Sequence, residues 1–388
     1  PDFDPYETLN LGKDKKWHSP VSALALLTAI EAATSAGILN EQGKLRDDID
    51  AYRAGIYGYT GFGQALRLAD LTEIVRRNLE RLRSVTGERL ENVKPSDPIQ
   101  IFPEQTNARV AERLGLKGKG NTGVQACAGG GAAIVDAADS IKSGRNRIVI
   151  AGGYENLLTH PAVSLEAFAA MGALSNNNSG RESRPFDKER DGFVMGAGAG
   201  FLVLESRESA MSRGARIYAT IEGSDTAMDG RDVSISDPER ISAMLASVVL
   251  DRKTNMLKVP DVAYMHATST PIGDRLELEA LYRVYGEEIF NIPIVAPKSA
   301  EGHSIAASGA ISVAEAIYAL NEGIIMPTIN LVNPGDIVKD PDNPNGTIVD
   351  YFNADLDIVT SPRLAYPQTA LVMASGFGGN NAAIFLRK

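Results

Sequence analysis

The chain has 388 residues, 44% of them hydrophobic, enough to bury a large core and to form two or three domain-sized units. A net charge of −10 argues against general nucleic-acid binding, and no apolar run approaches the length of a membrane span. The single cysteine, Cys127, excludes a disulfide framework and fits a reducing compartment, and the four histidines, His18, His160, His266 and His303, are too scattered to read as a metal cluster. No signal peptide opens the chain, so a cytoplasmic location is expected.

The N-terminal region carries a basic cluster, Lys13, Lys15 and Lys16, followed by a helical pattern from Val21 to Ala36. Ala54 to Tyr59 reads as a short strand, Ala65 to Leu82 as a helix and Thr106 to Leu114 as another, with a proline-rich loop from Pro95 to Pro103 between them. The stretch from Gln125 to Val135 places Cys127 at the start of an Ala/Gly-rich helix, with a strand from Arg147 to Ala151 after it. A cysteine at a helix N-terminus faces unpaired N–H groups and the positive end of the macrodipole, so its thiolate is expected to be favoured. Most lone cysteines are simply small buried hydrophobes, so this placement alone does not make a nucleophile.

A polar connection from Leu174 to Phe193 leads to the glycine-rich turn Gly196–Gly200 and a strand to Glu205. Those glycines run into a strand instead of opening a helix, which weakens any dinucleotide reading. A strand from Ile217 to Gly223 is expected to close the first half, giving a division into 1–226 and 227–388. In the second half, a strand from Val262 to Met265 leads into His266, and another from Ile292 to Ala296 leads into Lys298 and His303. Two apolar strands, Ala370 to Ser375 and Ala382 to Leu386, flank the turn Gly376-Phe377-Gly378-Gly379-Asn380-Asn381. Strand–helix alternation in both halves points to an α/β layered fold, and the two glycine-rich turns entering apolar strands hint at duplication. Cys127, His266 and His303 all lie beyond strand ends or at helix starts, where α/β sheets gather their sites. A cysteine with two histidines and Lys298 fits nucleophilic catalysis assisted by polarising donors.

Four stretches resemble the elongating β-ketoacyl-[acyl-carrier-protein] synthases. They are His266-Ala267-Thr268-Ser269-Thr270-Pro271-Ile272-Gly273-Asp274, Lys298-x-x-x-Gly302-His303, Arg184-Pro185-Phe186-Asp187-x-x-Arg190-Asp191-Gly192-Phe193 and Gly376-Phe377-Gly378-Gly379. The resemblance spans nearly the whole chain. It implies the thiolase-like fold, five αβαβα layers made of two similar halves, usually as a homodimer. It also implies a decarboxylative Claisen condensation between a Cys-bound acyl chain and malonyl-[acyl-carrier-protein]. The substrates would ride on the phosphopantetheine arm of acyl carrier protein, with no other cofactor and no metal.

By that resemblance Cys127 accepts the acyl chain, and His266 and His303 donate hydrogen bonds to the malonyl thioester carbonyl. Lys298 holds the site's network, with Glu277 as its acidic partner. The N–H groups of Cys127 and Phe377 form the oxyanion hole, Phe377 gates the site, and Thr268, Thr270 and Gly376 contact the substrate arm. Lys13, Lys15 and Lys16 fall near where the family docks its carrier protein, although a solubilising surface cluster fits equally well. A thiolase would need a second cysteine, and the Lys-x-x-x-Gly-His motif speaks against a Cys-His-Asn enzyme. A polyketide-type ketosynthase remains the nearest alternative. A catalytically inactive chain-length-factor-like subunit would lack the nucleophile that Cys127 supplies.

Overall fold

A computed structural model describes residues 4–63, 65–83, 94, 96–157, 161–334 and 356–388. His160 and Pro95 lie outside the described residues. The principal strands are β1 (Ala54–Tyr59), β2 (Ile148–Asn156), β3 (Ala197–Glu205), β4 (Thr220–Met228), β5 (Ala263–Tyr264), β6 (Ile294–Val295), β7 (Thr369–Gly376) and β8 (Asn380–Arg387). The longer helices are α1 (Pro20–Ser35), α2 (Ala65–Arg83), α3 (Glu104–Leu114), α4 (Gly129–Lys142), α5 (Pro161–Ala170), α6 (Pro238–Val249), α7 (Pro271–Tyr285) and α8 (Ala306–Glu322).

Among the described residues, the first sheet has the order β1-β2-β3 and the second β4-β8-β7-β5-β6. β1 runs parallel to β2, and β7 is parallel to β5 but antiparallel to β8. Helices α1 and α3 cover the outer face of the first sheet, and α6 packs on the outer face of the second with α7 against it. Between the sheets lie α4 and α8. The result is the five-layered αβαβα arrangement of a thiolase-like fold. Three apolar clusters fill the spaces: Leu26, Ile56 and Ile150 outside the first sheet, Ile134, Val149 and Val372 between the sheets, and Leu245, Leu278 and Phe385 outside the second.

The two middle helices explain the Ala/Gly-rich sequences. Each is covered on both faces, so neither shows a polar stripe, and small residues let their backbones approach. A Cβ at Gly130 would lie 2.5 Å from the carbonyl oxygen of Ala306 and 2.9 Å from the nitrogen of Ala310. Both helices are entered through a left-handed residue that is not glycine, Ala126 at φ 45° and Ile305 at φ 48°. This repeated strained entry carries the duplication that the sequence only hinted at.

Two expectations are corrected. The strand expected to close the first half is β4, and it pairs antiparallel with β8 in the second sheet. The division at 226/227 therefore cuts through β4, and the second half begins before Thr220. The glycine-rich stretch before Gly200 belongs to β3, whose Ala197–Glu205 pairs with Ile148–Asn156. Space is short along this pair of strands: a Cβ at Gly152, opposite Phe201, would lie 1.9 Å from the carbonyl oxygen of Gly200, and one at Gly200 would lie 3.1 Å from the nitrogen of Ile311.

Candidate active site

Cys127 sits in the 3-10 turn Ala126–Ala128, directly before α4. The strained φ of Ala126 turns the chain out of the preceding extended segment, which runs beside β1 through the bridge of Thr60 with Val124. The end of β7 presses on this turn: a Cβ at Gly376 would lie 2.7 Å from the nitrogen of Cys127. Glycine at 376 thus lets the end of β7 lie against the turn, and the backbone N–H groups of Phe377 and Cys127 both favour the charged form of the sulfur. Those are the two donors expected to form the oxyanion hole.

The sulfur is buried among Leu157, Phe168, Phe193 and Ile305, with Phe377 packed against the group. Burial pushes the Cys127 thiol up to about 12, while Lys298 and the N–H of Phe377 oppose the rise. This reverses the expected thiolate. Desolvation of a buried sulfur outweighs the partial charge of a helix terminus, so the Cys127 side chain rests as a thiol. Alkylation of Cys127 with iodoacetamide is accordingly expected to be slower in the folded protein than in the unfolded chain. Mass spectrometry of both at matched pH checks this.

His266 leaves the end of β5, and its N–H donates to Glu277 Oε1 at 2.5 Å while the N–H of Ala267 donates to Oε2 at 2.8 Å. Glu277 therefore clamps the turn that aims the first histidine. His303 is fixed through its own backbone, with its N–H donating to Val194 O at 2.7 Å and its carbonyl accepting from Gly196 at 2.9 Å. The two imidazoles meet edge to face with centroids 5.3 Å apart, and the other side of His303 meets the Phe193 ring at 5.1 Å. Burial, reinforced by the Lys298 charge, holds both histidines far below their ordinary pKa, so both are neutral. His303 Nδ1 lies 3.2 Å from the Ser308 hydroxyl, whose oxygen also accepts the Ser304 N–H at 3.1 Å. We assign the hydroxyl hydrogen to Nδ1, which leaves the His303 proton on Nε2.

A cavity of about 510 Å³ joins these groups, lined by Cys127, His266, His303, Thr268, Thr270 and Phe377. The hydroxyls of Thr268 and Thr270 lie 3.2 Å apart on its wall. Gly376 also lines the cavity. Lys298 is 1% exposed, and among the described residues its Nζ has no hydrogen-bond partner. Lys13, Lys15 and Lys16 lie in the turn Gly12–Trp17 and contribute nothing to the cavity wall. Lys15 rests over the Tyr6 ring at 4.6 Å and Lys16 over the Trp17 ring at 5.3 Å.

Several residues that shape the site escaped the sequence reading. The motif from Arg184 to Phe193 divides: its last residues, Asp191 to Phe193, line the cavity, and Arg190 is scaffolding. Arg190 and Asp274 form an ion pair at 3.3 Å with side chains 3% and 0% exposed. Asp274 also accepts the N–H groups of Phe186 at 3.0 Å and Ser269 at 3.1 Å, and Arg190 donates to the carbonyl of Pro271 at 2.9 Å. This network holds the Thr268–Pro271 wall; Arg190 and Asp274 each stood in a quoted motif, but nothing in the sequence paired them. Glu155 is a second such residue, its Oε2 accepting from Gly61 at 2.8 Å, Phe62 at 2.9 Å and the Thr60 hydroxyl at 3.1 Å.

Burial pushes the carboxyls of Glu277 and Glu315 up to about 7, from an ordinary 4.5. Both bind a proton more tightly folded than unfolded. Their stabilising contribution is full below pH 4.5 and is lost as the pH rises through about 7. Glu315→Gln is expected to flatten the fall in Tm across that window, measured by thermal melts in a pH series.

The sequence models for the Beta-ketoacyl synthase N-terminal and C-terminal domains match residues 2–210 and 218–332. A 3-oxoacyl-[acyl-carrier-protein] synthase 2 from Synechocystis sp. is 38% identical over 293 residues, 74% of this chain and 66% of that protein. The synthase of the same name from Staphylococcus aureus is 35% identical over 300 residues, 76% of this chain and 68% of that protein. The aligned part thus spans about two thirds of these relatives. Among solved structures, a beta-ketoacyl synthase from Burkholderia phymatum superposes with a TM-score of 0.78 at 28% identity, covering 97% of this chain and 84% of that one. A ketosynthase described in complex with its type II polyketide acyl-carrier protein gives 0.77 at 29% identity, covering 94% and 84%. With both domain models matched in order along a two-sheet, five-layered fold, the chain belongs to the beta-ketoacyl synthase family.

Proposed function

We propose that this chain is an elongating β-ketoacyl-[acyl-carrier-protein] synthase of fatty acid or related lipid synthesis, an acyltransferase that condenses a Cys127-bound acyl chain with malonyl-[acyl-carrier-protein]. The observation that carries this reading is the convergence of Cys127, neutral His266 and neutral His303 on one cavity with an open apolar rim. Val233, Ile235 and Ile272 on that rim are 76%, 44% and 51% exposed. A thioester arm entering past them would lie along Thr268 and Thr270.

In the first half-reaction the Cys127 sulfur attacks the acyl thioester carbonyl, and the thiol proton leaves with the departing phosphopantetheine sulfur. The oxyanion would form against the N–H groups of Cys127 and Phe377, donors worth on the order of 100-fold in rate each. In the second, loss of CO2 from malonyl thioester leaves an enolate oxygen, and neutral imidazole N–H groups are suited to receive it. Because both rings are uncharged beforehand, they gain most when the negative charge develops. Lys298 and Glu277 would hold this constellation, Glu277 through its grip on the His266 turn.

The same reading takes acyl carrier protein as partner, a homodimer as the assembly, and the cytoplasm as location, where the free Cys127 stays reduced. Lys13, Lys15 and Lys16 are the proposed docking cluster for the acidic carrier. A polyketide-type ketosynthase is the second reading, favoured by the likeness to a ketosynthase whose structure is described as bound to a hexaketide. Retention of Cys127 at the cavity floor separates both from an inactive partner subunit.

The test is incubation with acyl carrier protein bearing acyl chains of graded length, followed by mass analysis of Cys127 and of the product after adding malonyl carrier protein. The expected result is an acyl mass shift on Cys127 and one two-carbon extension. Repeated unreduced extension would favour the polyketide reading, and no acylation at any length would overturn both.

A further inference from the structure

We infer that Ser308 and Ser304 are positioning residues for the decarboxylation, their two hydroxyls hydrogen-bonded in series so that the His303 ring keeps its hydrogen on Nε2. The inference rests on the proposed role of His303 as a donor to the enolate oxygen. A neutral imidazole carries one hydrogen, on either nitrogen, and the bond made by one nitrogen decides whether the other can donate.

The chain leaves His303 through Ser304, turns at Ile305, whose φ is 48°, and enters α8 at Ala306. That left-handed step brings the first turn of α8 back against the histidine. Ser308 Oγ lies 3.2 Å from His303 Nδ1, 3.1 Å from the Ser304 nitrogen and 3.1 Å from the Ser304 hydroxyl oxygen. His303, Ser304 and Ser308 are all buried. A Cβ at Gly196 would lie 3.3 Å from the Ser304 nitrogen, and one at Gly198 would lie 3.5 Å from its hydroxyl oxygen. The glycine-rich run entering β3 therefore packs directly on Ser304.

Counting hydrogens fixes the direction of each bond. The Ser308 oxygen has two lone pairs and one hydrogen. One lone pair accepts the Ser304 N–H. Among the described residues the Ser304 hydroxyl has no hydrogen-bond contact other than Ser308, so its hydrogen goes to the second lone pair. The Ser308 hydrogen is then left with Nδ1 as its acceptor, and Nδ1 must be bare. In the reverse arrangement the ring hydrogen sits on Nδ1 and the Ser308 hydrogen turns to Ser304. That strands the Ser304 hydrogen in a buried place, where an unmet donor is costly. It would also make Nε2 an acceptor, which repels an enolate oxygen instead of stabilising it.

The test is NMR of protein carrying isotope-labelled histidine, the His303 signals being those absent from His303→Ala, together with acylation of Cys127 and labelled CO2 release. In the wild type Nε2 should carry the hydrogen, and Nδ1 should show the shift of a bare nitrogen that accepts a hydrogen bond. Ser304→Ala frees one lone pair on Ser308, so the Nδ1–H tautomer should appear beside the first. Ser308→Ala removes the donor, moving the Nδ1 resonance to that of an unbonded nitrogen. CO2 release should fall roughly 10- to 100-fold in Ser308→Ala and several-fold in Ser304→Ala, less than on deletion of the ring. The extent of Cys127 acylation should stay normal in both. Ser308→Cys, whose thiol is a weaker donor, should fall between the wild type and Ser308→Ala. Thermal melts confirm folding, and if Ser308→Ala does not fold, the wild-type tautomer and Ser304→Ala decide. A wild-type His303 with its hydrogen on Nδ1 would overturn the inference and leave the site reading standing. So would folded serine variants that release CO2 at the wild-type rate while His303→Ala does not. A His303→Ala enzyme with normal CO2 release would sink both, whatever the tautomer.

Discussion

His303→Ala is expected to acquire an acyl group on Cys127 at near the normal extent while losing malonyl decarboxylation by roughly two to three orders of magnitude. The two half-reactions ask for different groups. On the proposed mechanism, acyl transfer would place its oxyanion against the N–H groups of Cys127 and Phe377, and those are backbone atoms that the substitution leaves in place. Decarboxylation builds charge on an enolate oxygen, for which the neutral His303 ring, its Nδ1 answered by Ser308, offers the Nε2 hydrogen. His266 meets His303 edge to face at 5.3 Å, and on the proposed roles the pair would donate to one oxygen. His266→Ala should therefore resemble His303→Ala, with the double variant little worse than either. Cys127→Ala should hold no acyl chain yet still release CO2 slowly from malonyl thioester. Mass shift at residue 127 and labelled CO2 release, run separately on each variant, measure these outcomes. A His303→Ala enzyme that failed to acylate but still decarboxylated would reverse the assigned roles.

The second large effect is structural and lies outside the reacting groups. Asp274→Ala should destabilise the protein by about 3–5 kcal/mol, because it leaves the Arg190 guanidinium buried without its carboxylate. The same change removes the acceptor of the Phe186 and Ser269 N–H groups, loosening the wall that carries Thr268 and Thr270. Denaturant unfolding gives the size of the loss. Adding Arg190→Met to Asp274→Ala should recover part of it, since the stranded charge is then gone. A folded Asp274→Ala protein within about 1 kcal/mol of wild type would show that the pair contributes little net stability.

The candidate residues were legible as letters: Cys127, His266, His303 and Lys298 each follow a strand or open a helix, and the structure brings the first three to one cavity and buries Lys298. Most element positions were legible for the same local reason. The apolar pattern of Ala54–Tyr59 and the capped run of Pro20–Ser35 depend on neighbours close in sequence. Sheet membership did not follow. The strand Thr220–Met228 reads alone like the end of the first half, yet it pairs with Asn380–Arg387, more than a hundred residues away, and only that pairing assigns it.

Protonation was likewise decided by the tertiary structure. From its neighbours in sequence, Cys127 stands at a helix start and should ionise easily. Once Leu157, Phe168, Phe193 and Ile305 enclose it, the cost of a desolvated charge exceeds what the helix terminus returns. Burial also raises the proton affinity of Glu277 and Glu315 and keeps both histidines neutral. The sequence by itself determined which groups could react and where along the chain they stand. Their charge states were decided only by folding, because desolvation depends on everything packed around a group and not on the residues beside it in the chain.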